Sequence, residues 1–352
     1  RGRIAMIRAL TEGELKPGEK FREAMKQCLA CGACVNRCPT GANERIAQIL
    51  ARGLPEMENA FPGIKSALRK NAGGKRPVEY FQLLEIPLTQ TSYTFSERVK
   101  DLPAPDKEKK ENVVFFPGCG AEILRTGGAE ESIRLLCKMG YHIEVPESLN
   151  CCGSPYMLYG EIEETQRLAL ENIRILEKTE GPVVFDCASG AAAVKTYPQL
   201  FFEGTEEYEK AVSLAQRVNI ITEIFADSIK GKVIKLESPE PVRISYLYSC
   251  AERYQLNAEN APADILNAIE NAEYIPLPEN LCAPGWASFS LNVEELFQNV
   301  MRQLLEFCVK SDIRYLIVSD IAAIIKMKSI TANYSTLKIR AFSECINDLT
   351  KK

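Results

Sequence analysis

Residues 112–119 read Asn-Val-Val-Phe-Phe-Pro-Gly-Cys (NVVFFPGC). An unbroken apolar, β-branched and aromatic run, with no polar alternation, marks a strand buried on both faces. Pro117 and Gly118 end the run and leave Cys119 at its carboxyl end. Outward from this strand, helical and apolar segments alternate: a helix over Ala121–Met139, a strand over Tyr141–Val145, a helix over Glu161–Lys178 and a strand over Pro182–Phe185. The pattern restarts with a strand at Val242–Tyr248, a helix around Ala261–Ala272, a strand at Tyr274–Leu277, a helix over Val293–Val309 and a strand at Ile313–Val318. Alternation of this kind predicts parallel sheets covered by helices, an α/β fold.

The restart is a duplication. Cys119 and Cys250 each follow a strand and lie 131 positions apart (250 − 119), as do Cys151 and Cys282 (282 − 151). Asn150-Cys151-Cys152-Gly153 aligns with Leu281-Cys282-Ala283-Pro284-Gly285, one residue longer. A unit of about 130 residues has therefore been copied once. In front of it, short helices are expected at Gly18–Lys26, Asn43–Arg52 and Gly63–Lys70, and the Pro-, Gly- and charge-rich stretch Asn71–Glu111 reads as a linker or surface crossing. The expected organisation is a helical front domain (1–75), a linker (76–111), a first repeat (112–238) and a second repeat (239–352), each repeat with a parallel sheet.

The 352 residues hold 13 cysteines and one histidine. Disulfide frameworks belong mainly to small secreted domains, so a long chain with crowded thiols and no visible signal peptide points to metal ligation. The chain opens RGRIAM, without an initiator Met, so a leader upstream stays open. A formal charge of −4 gives no footprint for nucleic acid. Apolar runs such as Ile321–Ile325 are core-sized, so any membrane association is expected to go through a partner.

Cys28-x2-Cys31-x2-Cys34-x3-Cys38-Pro39 is the bacterial ferredoxin run for a [4Fe–4S] cluster. Three thiolates two residues apart wrap one cluster, and Gly32 and Ala33 let backbone N–H groups approach the sulfides. In two-cluster ferredoxins the fourth cysteine serves the other cluster. Either a matching motif stood upstream of Arg1, or one cluster takes all four local cysteines; the first is preferred. Zinc ordinarily takes C-x2-C pairs separated by a longer loop.

In the first repeat Cys119, Cys151, Cys152 and Cys187 lie on three loops at strand ends, where ligands gather in doubly wound sheets. Four thiols without a histidine favour iron–sulfur over a catalytic metal. Cys137, Cys308 and Cys345 sit in helical patterns and read as core thiols. His142 is assigned no function, and Trp286 either fills volume beside the second repeat's site or is plain core. No nucleotide-binding glycine fingerprint surrounds Gly73-Gly74 or Gly127-Gly128.

These motifs resemble the cysteine-rich "CCG" domain. Phe116-Pro117-Gly118-Cys119, Cys151-Cys152-Gly153 and Cys187-Ala188-Ser189 are similar to those of heterodisulfide reductase subunits B and D, glycolate oxidase iron–sulfur subunits, the lactate-utilisation iron–sulfur protein and anaerobic glycerol-3-phosphate dehydrogenase. Arg1-Gly2-Arg3-Ile4 resembles the segment joining two ferredoxin motifs in the glycolate and lactate subfamily. The resemblance implies five cysteines per intact repeat, holding a non-cubane [4Fe–4S] cluster that cleaves a disulfide or a cluster that relays electrons. Here Gly190 replaces the fifth cysteine of the first repeat, Tyr248-Ser249-Cys250 and Cys282-Ala283 stand in the second, and its final positions fall near Asp320 and Ala323. Two thiolates cannot hold four irons unaided, so the second repeat is expected to be structural, with Cys250 and Cys282 as remnants.

The resemblance implies an electron-transfer subunit of a flavin-dependent 2-hydroxyacid dehydrogenase complex of glycolate or D-lactate type, an oxidoreductase component rather than a catalyst alone. Its clusters would be one or two in the ferredoxin domain and one on Cys119, Cys151, Cys152 and Cys187. It would pass electrons between an FAD-containing dehydrogenase subunit and a quinone-reducing membrane subunit or electron-transfer flavoprotein, in the cytoplasm or at the inner membrane face through partners. The alternatives are a heterodisulfide-reductase-like catalyst, or a docking scaffold whose CCG half is metal-free or holds zinc.

Overall fold

A computed structural model of the chain describes residues 2–36, 38, 44–61, 63–89, 93–100, 102, 111–124, 126–230, 236–279, 281–283, 294–330 and 336–349. Trp286, Pro39 and most of the charged stretch 101–110 lie outside them. The helical front comprises α1 (Gly2–Thr11), α2 (Glu19–Lys26), α3 (Ala33–Asn36), α4 (Glu44–Arg52) and α5 (Ile64–Lys70). Residues expected as a linker carry two short helices, α6 (Val78–Leu83) and α7 (Phe95–Val99), which bury Tyr80, Phe81 and Phe95. Three aromatic anchors in a Pro- and Gly-rich stretch supply enough apolar area to pin it against the body of the protein.

The first repeat runs β1 (Asn112–Phe115), α8 (Thr126–Lys138), β2 (His142–Glu144), α9 (Ser154–Leu158), α10 (Ile162–Leu176), β3 (Val183–Phe185), α11 (Ala188–Lys195), α12 (Glu206–Arg217), β4 (Val218–Ile220) and α13 (Ile221–Lys230). The second runs β5 (Glu237–Leu247), α14 (Asn260–Asn267), β6 (Glu270–Tyr274), α15 (Glu294–Lys310), β7 (Tyr315–Val318), α16 (Ile321–Ile330), β8 (Lys338–Ala341) and α17 (Phe342–Leu349). Each forms a four-stranded, wholly parallel sheet, in the orders β2-β1-β3-β4 and β6-β5-β7-β8. The order repeats strand for strand, as a duplicated α/β unit requires.

A π-helical turn follows the first strand of each repeat, at Gly120–Leu124 and Glu252–Leu256. The single helix expected from Ala121 to Met139 is therefore divided: the wide turn inserts a residue just beyond Cys119, and the regular helix starts at Thr126. The strand expected at Tyr274–Leu277 lies earlier, at Glu270–Tyr274. It is an edge strand with a mostly exposed, polar sequence, and such strands carry no apolar signature.

Strand side chains alternate between two cores. Val113, Phe115 and Val184 from the first sheet, and Ile244, Tyr246 and Ile317 from the second, face a common core filled by α8, α13, α14 and α17. Ser132 of α8 hydrogen-bonds Ser343 of α17 at 2.9 Å, fixing the two repeats to each other. The opposite face of the first sheet, through Val114 and Phe116, joins Met25, Met57, Phe61 and Tyr80 of the front in one core. At that seam the φ of Gly160 is +76°, and a Cβ there would lie 2.2 Å from the Gly53 nitrogen. Only two glycines let these backbones touch. Among the described residues no helix is long and apolar enough to cross a membrane.

Candidate metal centres

The loops leaving β1, β2 and β3 at their carboxyl ends bring four thiols together. The Cys119 and Cys151 sulfurs are 3.8 Å apart, and the Cys152 thiol is a neighbour of Cys151. A Cβ placed on Gly190 would stand 3.8 Å from Cys152 Sγ and 3.8 Å from Cys187 Cβ, so Gly190 sits where a further thiol would join the set. Cys187 is the N-cap of α11. Phe116, Pro117, Pro155 and Ile321 line the small cavity that Cys119, Cys152, Cys187 and Gly190 share.

The paired cysteines are held by their backbones. The Cys151 amide donates to the Lys75 carbonyl (2.9 Å), Asn172 Nδ2 donates to the Cys151 carbonyl (3.0 Å), and the Tyr197 hydroxyl donates to the Cys152 carbonyl (3.1 Å). Gly153, with φ +80°, turns the chain into α9 immediately after them. The main chain of the pair is thus held from three sides.

The contact with Cys151, then burial, raise the Cys119 thiol well above its ordinary range. For Cys151 the hydrogen bond from Cys119 favours the thiolate, but contact with Cys152 and burial outweigh it and push it up. Burial, then the Asp320 carboxylate, raise Cys187. Opposing this are the backbone N–H groups of Gly153 near Cys151 and of Gly190 and Ile321 near Cys187. Such a set is poor as free thiolates and suited to a Lewis acid that displaces the protons. Among the described residues no three Cys, His, Asp or Glu side chains converge on a point able to hold one metal ion. A four-iron group has a different requirement, since each thiolate binds a separate iron and the N–H groups bond the sulfides. The donor chemistry fits that group.

Asp320 is the counterpart of Cys187 in the second repeat: each stands two residues beyond the end of its strand and directly before the following helix. Its carboxylate accepts from the Ala322 and Ala323 amides (3.0 and 3.2 Å) and from the Ser189 hydroxyl. Burial raises this carboxyl against those hydrogen bonds. Glu252, buried in the π turn after Cys250, accepts from the hydroxyls of Tyr246 (2.9 Å) and Ser319 (2.5 Å), and burial pushes it up to about 7.

In the front, Cys28 follows α2, Cys31 lies in the loop and Cys34 is on α3; Cys38 comes after it, its amide donating to the Val35 carbonyl at 3.0 Å. The loop uses φ +49° at Ala30 and +90° at Gly32, and the Ala30 amide donates to Cys28 Sγ at 3.3 Å. Arg45 of α4 lies beside Cys28, Cys31 and Cys34, held through Ala30 O (2.9 Å) and Thr196 Oγ1 (3.3 Å). Its own burial lowers the guanidinium to about 10. Gln48 Nε2 points at Cys34 Sγ from 3.9 Å. Fully buried Arg52 donates to the carbonyls of Leu158 (2.6 Å), Met25 (3.3 Å) and Cys28, tying the loop to the first repeat. The sequence reading missed Arg45, Gln48 and Arg52; a helix that follows the thiols and carries cations on its inward face is the signal that marks them.

The remaining thiols divide. Cys308 and Cys345 are core residues, and Cys137 is half-buried on α8. Cys250 lies beside both Cys282 and Cys31. Of the second repeat's two cysteines, expected as remnants of a separate site, Cys250 therefore faces the front loop, with Cys282 beside it. Its neighbour Cys250 lowers Cys31 to about 6, against the opposing effect of burial.

Comparison with known proteins agrees with this chemistry. Residues 113–192 match the family described as the cysteine-rich domain, CCG. The chain is 26% identical over 312 residues to the "Probable glycolate oxidase iron-sulfur subunit" of Bacillus subtilis (strain 168), covering 78% of this chain and 70% of that protein. It is 26% identical over 240 residues to "Lactate utilization protein A" of Geobacillus sp. (strain WCH70), covering 67% of this chain and 98% of that one. A crystal structure of a hypothetical protein from Helicobacter pylori shares the fold, with a TM-score of 0.53 at 10% identity over 98% of this chain and 67% of its own.

Proposed function

We propose, for a chain whose residues 113–192 form a cysteine-rich CCG domain, that it is an iron–sulfur subunit of a hydroxyacid oxidation system. It relays single electrons between an FAD-containing dehydrogenase partner and a further carrier, either a quinone-reducing membrane subunit or an electron-transfer flavoprotein. The names carried by its relatives support this class. The observation that carries it is the meeting of Cys119, Cys151, Cys152 and Cys187 around Gly190.

Cys28, Cys31, Cys34 and Cys38 would hold the front group, and the four first-repeat thiols the other. When bound, a [4Fe–4S] group supplies reversible one-electron storage. The chain's own residues set where the charge is favoured. Arg45 places a cation beside Cys28, Cys31 and Cys34, whereas Asp320 places a carboxylate near Cys187. A nearby cation favours the reduced, more negative state and an anion opposes it, so the front site is the better electron acceptor of the two. Gly190 leaves the first-repeat site one thiol short of the five that disulfide cleavage uses in its relatives, which favours relay over catalysis.

The test is anaerobic purification of the full chain with iron and sulfide analysis, followed by absorbance with the partner flavoprotein and a 2-hydroxyacid. Brown, iron-containing protein that bleaches on adding substrate is expected. Iron-bearing protein that no 2-hydroxyacid bleaches would remove the oxidation system, and colourless, iron-free protein would remove the electron relay itself.

A further inference from the structure

We propose that Arg76 is a positioning residue of the first-repeat site, the centre of a clamp that fixes the Cys119 loop against the Cys151 loop. This rests on the reading that those thiols hold an iron–sulfur group. The clamp is built from the stretch whose composition reads as a linker. Its hydrogen bonds go to the residues that flank the two cysteines.

One side of the clamp holds the loop that leads into the paired cysteines. The Cys151 amide donates to the Lys75 carbonyl (2.9 Å), and Arg76 Nη1 donates to the Leu149 carbonyl (2.9 Å). That loop passes through Ser148 at φ +74°. A non-glycine residue keeps such a conformation only where its surroundings over-determine it. The clamp has its own anchor on α10: the Gly73 amide donates to Glu164 Oε1 (3.1 Å), and Arg167 Nη2 donates to the Gly74 carbonyl (3.1 Å).

The other side holds the π turn directly after Cys119. Arg98 Nη2 donates to the Ala121 carbonyl (2.9 Å), the Phe95 amide to Glu122 Oε2 (3.1 Å), and the Thr89 amide to the Ile123 carbonyl (2.7 Å). Three consecutive residues of the turn are thus gripped from outside the repeat. A single π turn is a rare and local distortion, and these bonds fix its position relative to Cys119.

Arg76 joins the two sides. Its Nη2 lies 3.6 Å from Glu122 Oε1, so one guanidinium reaches from the carbonyl two residues before Cys151 to the carboxylate three residues after Cys119. The planar fork of arginine can hold two partners in fixed directions, and a lysine ammonium cannot. The Arg76 and Glu122 side chains are only 13% and 18% exposed. With Lys75, Pro117 and Leu149 they line a cleft of about 310 Å³ beside the site. The 3.8 Å between the Cys119 and Cys151 sulfurs is the separation that this clamp holds.

The experiment follows iron retention against a chelator, EPR and melting temperature of the anaerobically purified full chain. Wild type is compared with Arg76→Lys, Arg76→Met and, as a control, Lys70→Met, which removes an exposed cation at the end of α5. Arg76→Lys keeps the charge and loses the fork. It is expected to weaken iron retention at the first-repeat group by about 10–100-fold, the range for residues that orient metal ligands, and to shift that group's EPR. Arg76→Met is expected to do the same; if it fails to fold, Arg76→Lys decides. Lys70→Met is expected to match wild type, and the front group's signal to stay unchanged throughout. Wild-type retention and spectra in Arg76→Lys would overturn the assignment, because charge alone would then suffice. An equal loss in Lys70→Met would overturn it too. Iron-free wild-type protein would instead overturn the iron–sulfur reading on which it rests.

Discussion

The Ser189 hydroxyl donates to the Asp320 carboxylate, joining the first turn of α11 to the loop after β7. One carboxylate therefore caps α16, pairs the two repeats and sits near Cys187. Asp320→Ala should cost about 1–3 kcal/mol, the range for losing a cap and leaving buried donors unpaired. Asp320→Asn keeps most of the shape and removes the charge. It should raise the potential of the first-repeat group by on the order of tens of millivolts, read by EPR-monitored redox titration.

Arg45 gives the opposite sign at the front. With Arg45→Gln the reduced state loses its neighbouring cation, and the front potential should fall by on the order of tens of millivolts. The same titration checks it, because the two groups are affected separately. A front potential equal to wild type would remove Arg45 from the account.

Gly190→Cys rebuilds the five-thiol pattern. The added Cβ meets Phe185 Cδ1 at 3.4 Å and Cys152 Sγ at 3.8 Å, both ordinary contacts. The variant should fold with a melting temperature within a few degrees of wild type and change the EPR of the first-repeat group. An unchanged spectrum would place Gly190 outside it.

Arg52 holds the Cys28 loop against the first repeat through three carbonyls in a fully buried setting. Arg52→Met fills similar space but leaves those acceptors unpaired, at a cost of about 2–4 kcal/mol. Denaturant melts should show the loss, and limited proteolysis should cut the front of the chain sooner than the sheets.

Cys308 tests linkage away from any candidate ligand. Burial pushes its thiol up to about 12, whereas an unfolded thiol ionises near about 8.5. Between those values the folded state keeps a proton that the unfolded state releases, so stability falls as pH rises. Between pH 7.5 and 9.5, wild type should lose about 1 kcal/mol more than Cys308→Ala, measured by urea melts at each pH. Equal losses would show that Cys308 does not keep its proton on folding.

The legible parts of this fold are those whose chemistry is local. NVVFF announces a buried central strand, because a strand covered on both faces must be apolar throughout. Glu270–Tyr274 announces nothing, since its mostly exposed edge position leaves its composition free. The α6 and α7 helices were hidden by neighbouring Pro, Gly and charge, which describe the turns around them rather than the aromatics that anchor them. Cysteine spacing located the strand-end thiols, yet Asp320 beside Cys187 and Cys250 against Cys31 are meetings between distant segments. The Gln255–Cys31 bond spans 224 positions, and no short-range pattern encodes such a distance.

That bond also sets a timetable. Synthesis delivers the thiols of the front loop first, but the side chain that clasps the Cys31 carbonyl emerges only with residue 255. A nascent chain therefore displays an unclasped, cysteine-bearing loop through most of its time on the ribosome, and the loop reaches its final shape only once the second repeat has begun to fold. Completion of the front loop is in this sense a late event at the early end of the polypeptide.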